Sequence, residues 1–393
     1  MEVFAKEIFY RRVRVMENIM LTRVFSRQGA ITGAFGVETK EGRYLLFQCP
    51  AVILGAGSAT GLYHYSSASY RTTGDAYAMV ADLGLSFGNM EFVEFTLIPA
   101  PGGKAISTSG ISPFMGRGAK FYNNAGESFM MRYDPERGER TTRAKLVQGI
   151  YLEMRDGRGP CMMDATGVNW DEFLAHEPHV MGKLGGLVDP RKERFEWVPA
   201  VHSFLGGVKI DEKGQTDIQG LFASSESATG MHGANRLGGN ALAACYVLGR
   251  RAGMYACQYA IQNKASKVTS RDIKQETNRI RSLYHPKGKD PFQVEEEVQR
   301  VAWQRLGVVR NGKDLEGAKN DLNSLQSVRF KIGNVRDLIK SLEARNLALT
   351  GWMVASAALV RNESRGHHMR EDFPKKDDPA WRKALYLKKE NEP

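Results

Sequence analysis

The sequence predicts a mixed α/β fold, α+β overall, on three observations. Residues 16–50 alternate short apolar and β-branched runs with turns, which is typical of a β-meander. The wholly apolar run Ala51–Leu54 leads into the glycine cluster Gly55–Gly61, a pattern typical of a buried strand that passes into a ligand-approaching loop. From Ser270 onward the chain is charged with helical periodicity, which indicates a helical bundle.

The elements follow in order along the chain. The first part is predicted to hold strands over Ile19–Phe25, Ile31–Thr39, Tyr44–Gln48, Ala51–Leu54 and Met90–Phe95, and helices over Ala76–Leu83 and Thr141–Arg155. A turn is expected at Gln28-Gly29, and the apolar run Leu221–Ala223 follows a polar hairpin. The C-terminal helices are predicted over Asp272–Tyr284, Pro291–Leu306, Leu315–Asn346 and Ala348–Val360.

Composition restricts the class of protein. The 393 residues are 42% hydrophobic and 25% charged, which is typical of a globular chain with two or three domains. Apolar runs are too short to span a bilayer and the N-terminal segment has no signal-peptide core, so we expect a cytoplasmic protein or one peripheral at the cytoplasmic membrane. The net charge of +11 suits anionic ligands, whereas its spread argues against nucleic acid. The four cysteines form no CxxC, so no iron–sulfur cluster or zinc site is expected in this chain.

The most informative stretch is Ser224–Gly253. A small-residue loop carries Glu226, His232 and Arg236, and then leads through two glycines into an Ala-rich helix that begins near Asn240. Small residues let a backbone approach a ligand closely, and a helix N-terminus favours negative charge. The planar fork of an arginine pairs bidentately with a carboxylate. For each of these side chains the alternative is structural, as a helix cap, a core histidine or a salt bridge.

The string HGANRLGGNAL in this stretch resembles the succinate dehydrogenase/fumarate reductase flavoprotein family, which includes L-aspartate oxidase. AVILGAGSATGLY, TTGDAYAMVADLGL and MEFVEF resemble, in that order, the later part of the family's FAD domain, and NESRGHHMREDFPKKDDPAWRKALYL resembles its C-terminal segment. The resemblance implies an incomplete Rossmann-like FAD-binding domain, an inserted capping domain and a C-terminal helical bundle. It divides the chain into the later part of the FAD-binding domain (1–98), a capping domain (99–200), the return of the FAD-binding domain (201–265), a helical domain (266–363) and a C-terminal segment (364–393).

The family opens with a GxGxxG-type turn for the FAD pyrophosphate, and this sequence has none. We therefore expect a second polypeptide to supply the phosphate-binding unit, or FAD binding to be weak. A truncated gene product is the alternative.

The resemblance also implies the residues that contact FAD. They are Ala56, Gly57, Asp75, Glu226, Asn240 and Leu242. Glu226 would hold the FAD ribose, and Asn240 with Leu242 would present backbone to the flavin ring.

On the substrate side the resemblance implies His202 (in HSFLGGV) and Arg236 (in HGANR) as binding residues, with His232 as a further candidate donor. The capping side departs from the family pattern. Thr96 stands at the position of the family's substrate histidine, and a gap-free count puts Met115 at the arginine that shuttles the proton. Arg117, two positions later, is the candidate to take over that role.

These features predict an FAD-dependent oxidoreductase that transfers hydride between flavin and an anionic, carboxylate-bearing substrate other than succinate. Electrons would be exchanged with a separate iron–sulfur partner, because the chain carries no cluster ligands of its own. One alternative is a soluble flavoenzyme similar to L-aspartate oxidase. The other is a catalytically silent subunit or fragment that acts as an assembly or interaction partner.

Overall fold

The structure, a computed structural model, describes residues 2–106, 111–184 and 186–388. Its helices are α1 (Glu2–Tyr10), α2 (Asp75–Ala81), α3 (Met130–Tyr133), α4 (Arg143–Arg155), α5 (Trp170–His176), α6 (Val180–Lys183), α7 (Asn240–Gln262), α8 (Ser270–Arg281), α9 (Pro291–Arg305), α10 (Gly312–Gln326), α11 (Val335–Val360) and α12 (Asp378–Trp381). Its strands are β1 (Ile19–Arg27), β2 (Ala30–Glu38), β3 (Tyr44–Gln48), β4 (Val52–Leu54), β5 (Ser86–Gly88), β6 (Val93–Pro99), β7 (Lys120–Tyr122), β8 (Met162–Asp164), β9 (Phe195–Phe204), β10 (Gly207–Val208), β11 (Leu221–Ala223), β12 (Tyr284–Lys289) and β13 (Tyr386–Lys388).

The predicted meander is confirmed, since β1, β2 and β3 form an antiparallel sheet in that order. The predicted turn lies at Gln28 and Gly29, which both have positive φ (52° and 76°). A second three-stranded sheet places β5 between β10 and β13.

Strand β4 pairs in parallel with β11, so the loops that follow both strands leave from the same edge of the sheet. The prediction that this strand is buried is wrong at Ile53, whose side chain is 43% exposed. The cause is the small size of the sheet: within the described residues β4 and β11 each have the other as sheet partner. One face of β4 therefore reaches the surface.

A four-stranded sheet in the order β6-β9-β8-β7 carries polar side chains of the candidate site. In the antiparallel pair of β6 and β9, Glu94 lies opposite Ser203, whereas the next residue, Phe95, lies opposite Val201. His202 is thus the extra residue of a β-bulge, which turns side chains away from the regular alternation. Both strands cross the boundaries predicted at 98/99 and 200/201, so this sheet joins the segments on either side of those boundaries.

The C-terminal part is a helical bundle in which α9, α10 and α11 pack on one another and α11 also packs on α2. The predicted helix over Leu315–Asn346 is wrong in its bounds: the chain breaks between α10 and α11, and α11 continues through the helix predicted separately over Ala348–Val360. The break has two physical causes. Asn334 caps α11 by accepting a hydrogen bond from the Asp337 amide, and the buried Phe330 donates its amide to the Leu283 carbonyl (2.7 Å).

The start of α4 positions one functional side chain. Thr142 caps this helix, because its hydroxyl accepts a hydrogen bond from the Lys145 amide. The helix therefore begins at Arg143 rather than at the predicted Thr141, and Arg143 occupies its first turn. Similarly, β6 begins at Val93, three residues after the predicted start.

Among the described residues, none of the helices has both the length and the apolar content required to span a bilayer.

Candidate active site

A buried carboxylate lies at the centre of the site. Glu94 on β6 is 0% exposed, and both of its oxygens accept hydrogen bonds from the Arg236 guanidinium (Nε to Oε2 3.0 Å, Nη2 to Oε1 3.2 Å). The Arg143 Nη2 also donates to Oε1, and the Ser203 hydroxyl donates to Oε2 at 2.5 Å. One carboxylate thus balances two guanidinium groups only in part, and charge-assisted bonds of this kind are strong where water is excluded.

Three separate parts of the chain bring these groups together. Glu94 and Ser203 face each other because of the β6–β9 register. Arg236 comes from the loop that precedes α7, and Arg143 comes from the first turn of α4. The site therefore depends on the packing of α4 against β6 and β9.

Three histidines surround the two arginines. Burial, with Arg143 and Arg236 nearby, lowers the pKa of His202 to about 4 and the pKa of His367 to about 3. Burial and then Arg236 also lower the pKa of His232. The His202 Nδ1 lies 2.7 Å from the Ser67 hydroxyl, which fixes its ring. All three imidazoles are accordingly neutral at neutral pH, so they are hydrogen-bonding groups and not cations.

His367 has a free ring nitrogen that faces the central carboxylate. Its Nε2 lies 3.8 Å from Oε1 of Glu94, and it has no hydrogen-bond partner within the described part of the chain. Because the imidazole is neutral, this approach is not an ion pair. The Nε of Arg143 is likewise buried without a partner among the described residues. Such unpaired buried groups are uncommon in folded proteins, and a catalytic or binding role is one explanation for them.

A cavity of ≈ 20 Å³ adjoins Arg236. Its lining includes Ser203, Glu226, Met231, His232, Arg236 and Cys245. The structure thus brings together three of the sequence-predicted residues, Glu226, His232 and Arg236, around one small polar space. The volume is close to that of a single water molecule, so a larger ligand requires the side chains of this lining to move.

The glycine loop after β4 is tied to the loop after β11. The Ser58 hydroxyl donates to Oε2 of Glu226 (2.6 Å), and the Ser227 hydroxyl donates to the Gly57 carbonyl (3.0 Å). Burial raises the pKa of Glu226, and the Ser58 hydrogen bond opposes this shift. Ala56 and Gly57 lie in this loop, and Ala56 is exposed. Hydrogen bonds therefore tie the loop that contains Ala56 and Gly57 to the loop that contains Glu226.

The N-terminus of α7 lies open to a ligand. Its N-cap residue, Gly239, has φ 80° and provides no side-chain hydrogen bond to the first turn. Asn240 and Leu242 of that turn are exposed, Leu242 by 66%. The first amides of a helix without a side-chain cap, together with its dipole, attract electron-rich groups.

The remaining predicted residues lie elsewhere. Asp75, at the start of α2, accepts hydrogen bonds from the Thr73 hydroxyl and the Asn346 amide, both at 2.8 Å, and burial raises its pKa. It therefore links its loop to α11. Arg117 is exposed, and its guanidinium carbon lies 5.4 Å from the ring centroid of Phe173. The structure puts Arg143, and not Arg117, in contact with Glu94.

Sequence reasoning missed three residues of this site: Glu94, Arg143 and His367. For Glu94 a signal existed, since a charged residue inside an otherwise apolar strand requires a buried partner. His367 is one of two consecutive histidines in the resembling C-terminal segment, which also attracts attention. Arg143 gave no such signal, because it is one of many basic residues around a surface helix.

Comparisons with known proteins identify the class. The FAD binding domain family matches residues 1–242, and the fumarate reductase flavoprotein C-terminal family matches residues 295–393. The chain is 33% identical to one of the subunits of the fumarate reductase (CoM/CoB) of Methanothermobacter marburgensis, over 99% of this chain and 73% of that protein. It is 31% identical to L-aspartate oxidase 2 of Ralstonia nicotianae, over 88% of this chain and 62% of that protein.

Solved structures agree. The E. coli quinol fumarate reductase flavoprotein FrdA superposes with a TM-score of 0.85 at 25% identity, over 98% of this chain and 71% of that chain. Sdh1 of Mycobacterium smegmatis superposes with a TM-score of 0.81 at 29% identity, over 96% of this chain and 66% of that chain. The fold and the site therefore define an FAD-dependent oxidoreductase. The chain belongs to the succinate dehydrogenase/fumarate reductase flavoprotein family.

The residues present fit the FAD that this family binds. Small residues at the carboxyl ends of β4 and β11 leave the backbone accessible, and a Cβ built on Gly55, Gly238 or Gly239 meets nothing within 4 Å. The α7 N-terminus adds amide donors beside the same edge of the sheet. A planar, electron-rich ring can therefore approach these backbone groups closely.

Proposed function

We propose that this chain transfers hydride between FAD and a carboxylate-bearing substrate that is held by Arg236 and Arg143. When bound, the flavin supplies the hydride chemistry, and the protein supplies orientation, charge and the proton. The observation that carries the proposal is that the buried Arg236, which lines the small cavity between the α7 loop and β9, shares one carboxylate, Glu94, with a second guanidinium group, that of Arg143. Reduction of a carbon–carbon double bond next to a carboxylate needs cations to hold that carboxylate.

The proposed roles on the substrate side follow from the donors. Arg236 and His202, as predicted from the sequence, bind substrate oxygens, and His232 is a further donor at the cavity. Because the pKa values of His202, His232 and His367 are all lowered, these histidines donate hydrogen bonds as neutral rings. The proposed flavin contacts are those predicted: Ala56, Gly57, Asp75, Glu226, Asn240 and Leu242.

We assign proton delivery to Arg143. Burial, assisted by Arg236, lowers the pKa of Arg143 to about 10, which makes its guanidinium a better acid than an exposed one. Its Nε has no competing partner among the described residues. Arg117 is the rival assigned from the sequence, and its exposed position on Phe173 argues for a role on the surface of the capping segment.

Two partners are part of the proposal. An iron–sulfur subunit would exchange electrons with the flavin. A second polypeptide that supplies a phosphate-binding unit would cover β4 and α7. This surface carries large exposed apolar side chains, Ile53 on β4 and Leu242, Tyr246, Val247, Met254 and Ile261 on α7. Exposed apolar patches of this kind are usual at interfaces.

A second candidate is a soluble oxidase similar to L-aspartate oxidase, because the chain is 31–32% identical to three L-aspartate oxidases. The two functions differ in what reoxidises the flavin. Photoreduced holoprotein mixed with oxygen, fumarate or other unsaturated acids separates them: rapid reoxidation by oxygen favours the oxidase, and reoxidation by an unsaturated acid favours the reductase.

The same assay tests the proton donor. Arg143→Gln should lower the rate of reoxidation by an unsaturated acid by about a hundredfold or more, which is typical for loss of a general acid. Arg117→Gln is the matched control and should leave the rate unchanged. If Arg117→Gln lowers the rate of reoxidation and Arg143→Gln does not, Arg117 is the residue that delivers the proton. A protein that takes up no flavin would instead favour the catalytically silent subunit.

A further inference from the structure

We infer that Glu94 is a specificity-determining residue that restricts this site to substrates with a single carboxylate. The inference rests on the proposed function, because it concerns the substrate of that site. Glu94 lies in the Arg236 fork, where it accepts from both Nε and Nη2. That bidentate face is the one a substrate carboxylate would otherwise use.

Besides the neutral donors His202 and His232, three nitrogen donors remain around Glu94, and they suffice for one carboxylate. Arg236 retains Nη1, whose protein contact is a long hydrogen bond of 3.4 Å to the Leu237 carbonyl. Arg143 retains its buried Nε, and His367 retains Nε2, neither of which has a hydrogen-bond partner in the described residues. The side chains that carry these three nitrogens all lie next to Glu94: Arg143 and Arg236 donate hydrogen bonds to it, and His367 lies 3.8 Å from it. A second carboxylate would have no guanidinium fork of its own.

The balance of charge leads to the same limit. Arg143 and Arg236 are two cations, Glu94 is one anion, and the facing histidines His202 and His367 are neutral, which leaves one positive charge. One substrate carboxylate neutralises this charge, whereas a dianion would add an excess anion to a site that excludes water.

Other charged groups nearby do not change the result. Glu226, which lines the cavity with Arg236, is a second carboxylate whose pKa is raised by burial, and negative charge on it repels a dianion more strongly than a monoanion. Behind His367, Arg310 lies against the carbonyls of Leu306, Gly307 and Glu91. The other arginines of that buried network have carboxylate partners of their own, Arg361 with Glu91 and Arg370 with Asp372.

The test compares crotonate with fumarate, two unsaturated four-carbon acids that carry one and two carboxylates. Isothermal titration calorimetry of the purified chain, with and without saturating FAD, should give a dissociation constant at least about tenfold lower for crotonate. Glu94→Gln frees the Arg236 fork and removes the anion, and should shift the ratio of the two constants at least about tenfold toward fumarate. The double variant E94Q/R143Q restores a single positive charge and should again prefer crotonate.

Arg143→Gln covers the case in which Glu94→Gln does not fold, because it retains the bidentate Arg236–Glu94 pair. It leaves no net positive charge and should weaken crotonate binding at least about tenfold. Arg140→Gln, an equal change of charge on an exposed side chain three residues earlier, should leave binding unchanged.

Equal affinities of the wild-type chain for fumarate and crotonate, an unchanged ratio in Glu94→Gln, or unchanged crotonate binding in Arg143→Gln would each overturn the inference. Failure of the proposed function is seen separately. A chain that prefers crotonate but takes up no FAD supports the role of Glu94 and contradicts the flavoenzyme, whereas a chain that takes up FAD and prefers fumarate does the reverse.

Discussion

At the scale of single residues, one carboxylate inside the β6–β9 sheet accepts hydrogen bonds from two guanidinium groups and a hydroxyl. Burial, together with these cations, lowers the pKa of three neighbouring imidazoles and keeps them neutral. Arg236, His202 and His232 could be recognised from the sequence because they lie in motifs. Glu94 and Arg143 could not be paired in advance, since 49 residues separate them and only the packing of α4 on the sheet brings them together.

His367 should make stability depend on pH. Its pKa is lowered from 6.5 to about 3 in the folded chain, so the unfolded chain binds the proton more readily. The contribution of the neutral His367 imidazole to stability is therefore fully present above the pKa that this group has in the unfolded chain. It is lost as the pH falls from about 6.5 toward 3. At about 1.4 kcal/mol per pH unit, His367→Gln should reduce the loss of unfolding free energy between pH 7 and pH 5 by about 2 kcal/mol.

Urea denaturation at the two pH values measures this difference. His179→Gln is the matched control, because His179 is exposed and its replacement should leave the pH dependence unchanged. Equal pH dependence of His367→Gln and the wild-type chain would show that the imidazole is not held neutral.

At the scale of elements, local signals in the sequence predicted the meander and most helices, since turns and apolar periodicity are local. Two errors came from long-range packing. Phe330 is buried in the core, between the end of α10 and the start of α11, and so interrupts the helix predicted over Leu315–Asn346. Ile53 is exposed although its strand is wholly apolar, because the parallel sheet of β4 and β11 is narrow. Apolar character alone does not say which neighbours a strand has.

The start of α7 should depend on the left-handed backbone of Gly239. Gly239→Ala places a Cβ at φ 80°, and although it meets no atom within 4 Å, the conformation itself should reduce the unfolding free energy by about 1 kcal/mol. Gly253→Ala lies inside the same helix, also meets nothing within 4 Å, and should stabilise the chain by roughly 0.5–1 kcal/mol. Urea denaturation measures both, and destabilisation of equal size in the two variants would contradict the assigned role of Gly239.

At the scale of the whole molecule, the glycine loop and the α7 N-terminus are proposed to hold the flavin, and large apolar side chains on β4 and α7 are exposed. The proposal that a second polypeptide holds the pyrophosphate and adenine has a direct consequence. The chain alone should bind FAD no more than about tenfold more tightly than FMN, which lacks the adenosine half, since one hydrogen bond that a ribose hydroxyl donates to Glu226 contributes only about 1 kcal/mol. Fluorescence titration with both flavins measures the ratio, and a preference for FAD of about a hundredfold or more would show that this chain holds the adenosine half itself.

We propose that a flavin and a substrate carboxylate bind side by side, with Arg236 holding the carboxylate. The most direct measurement is the visible absorption spectrum of the FAD-loaded chain during titration with crotonate. We predict a saturable change of the flavin spectrum in the wild-type chain and in the surface control Arg140→Gln, and its loss in Arg236→Gln. A flavin spectrum that no carboxylate perturbs, or one that responds equally in Arg236→Gln, would contradict the account.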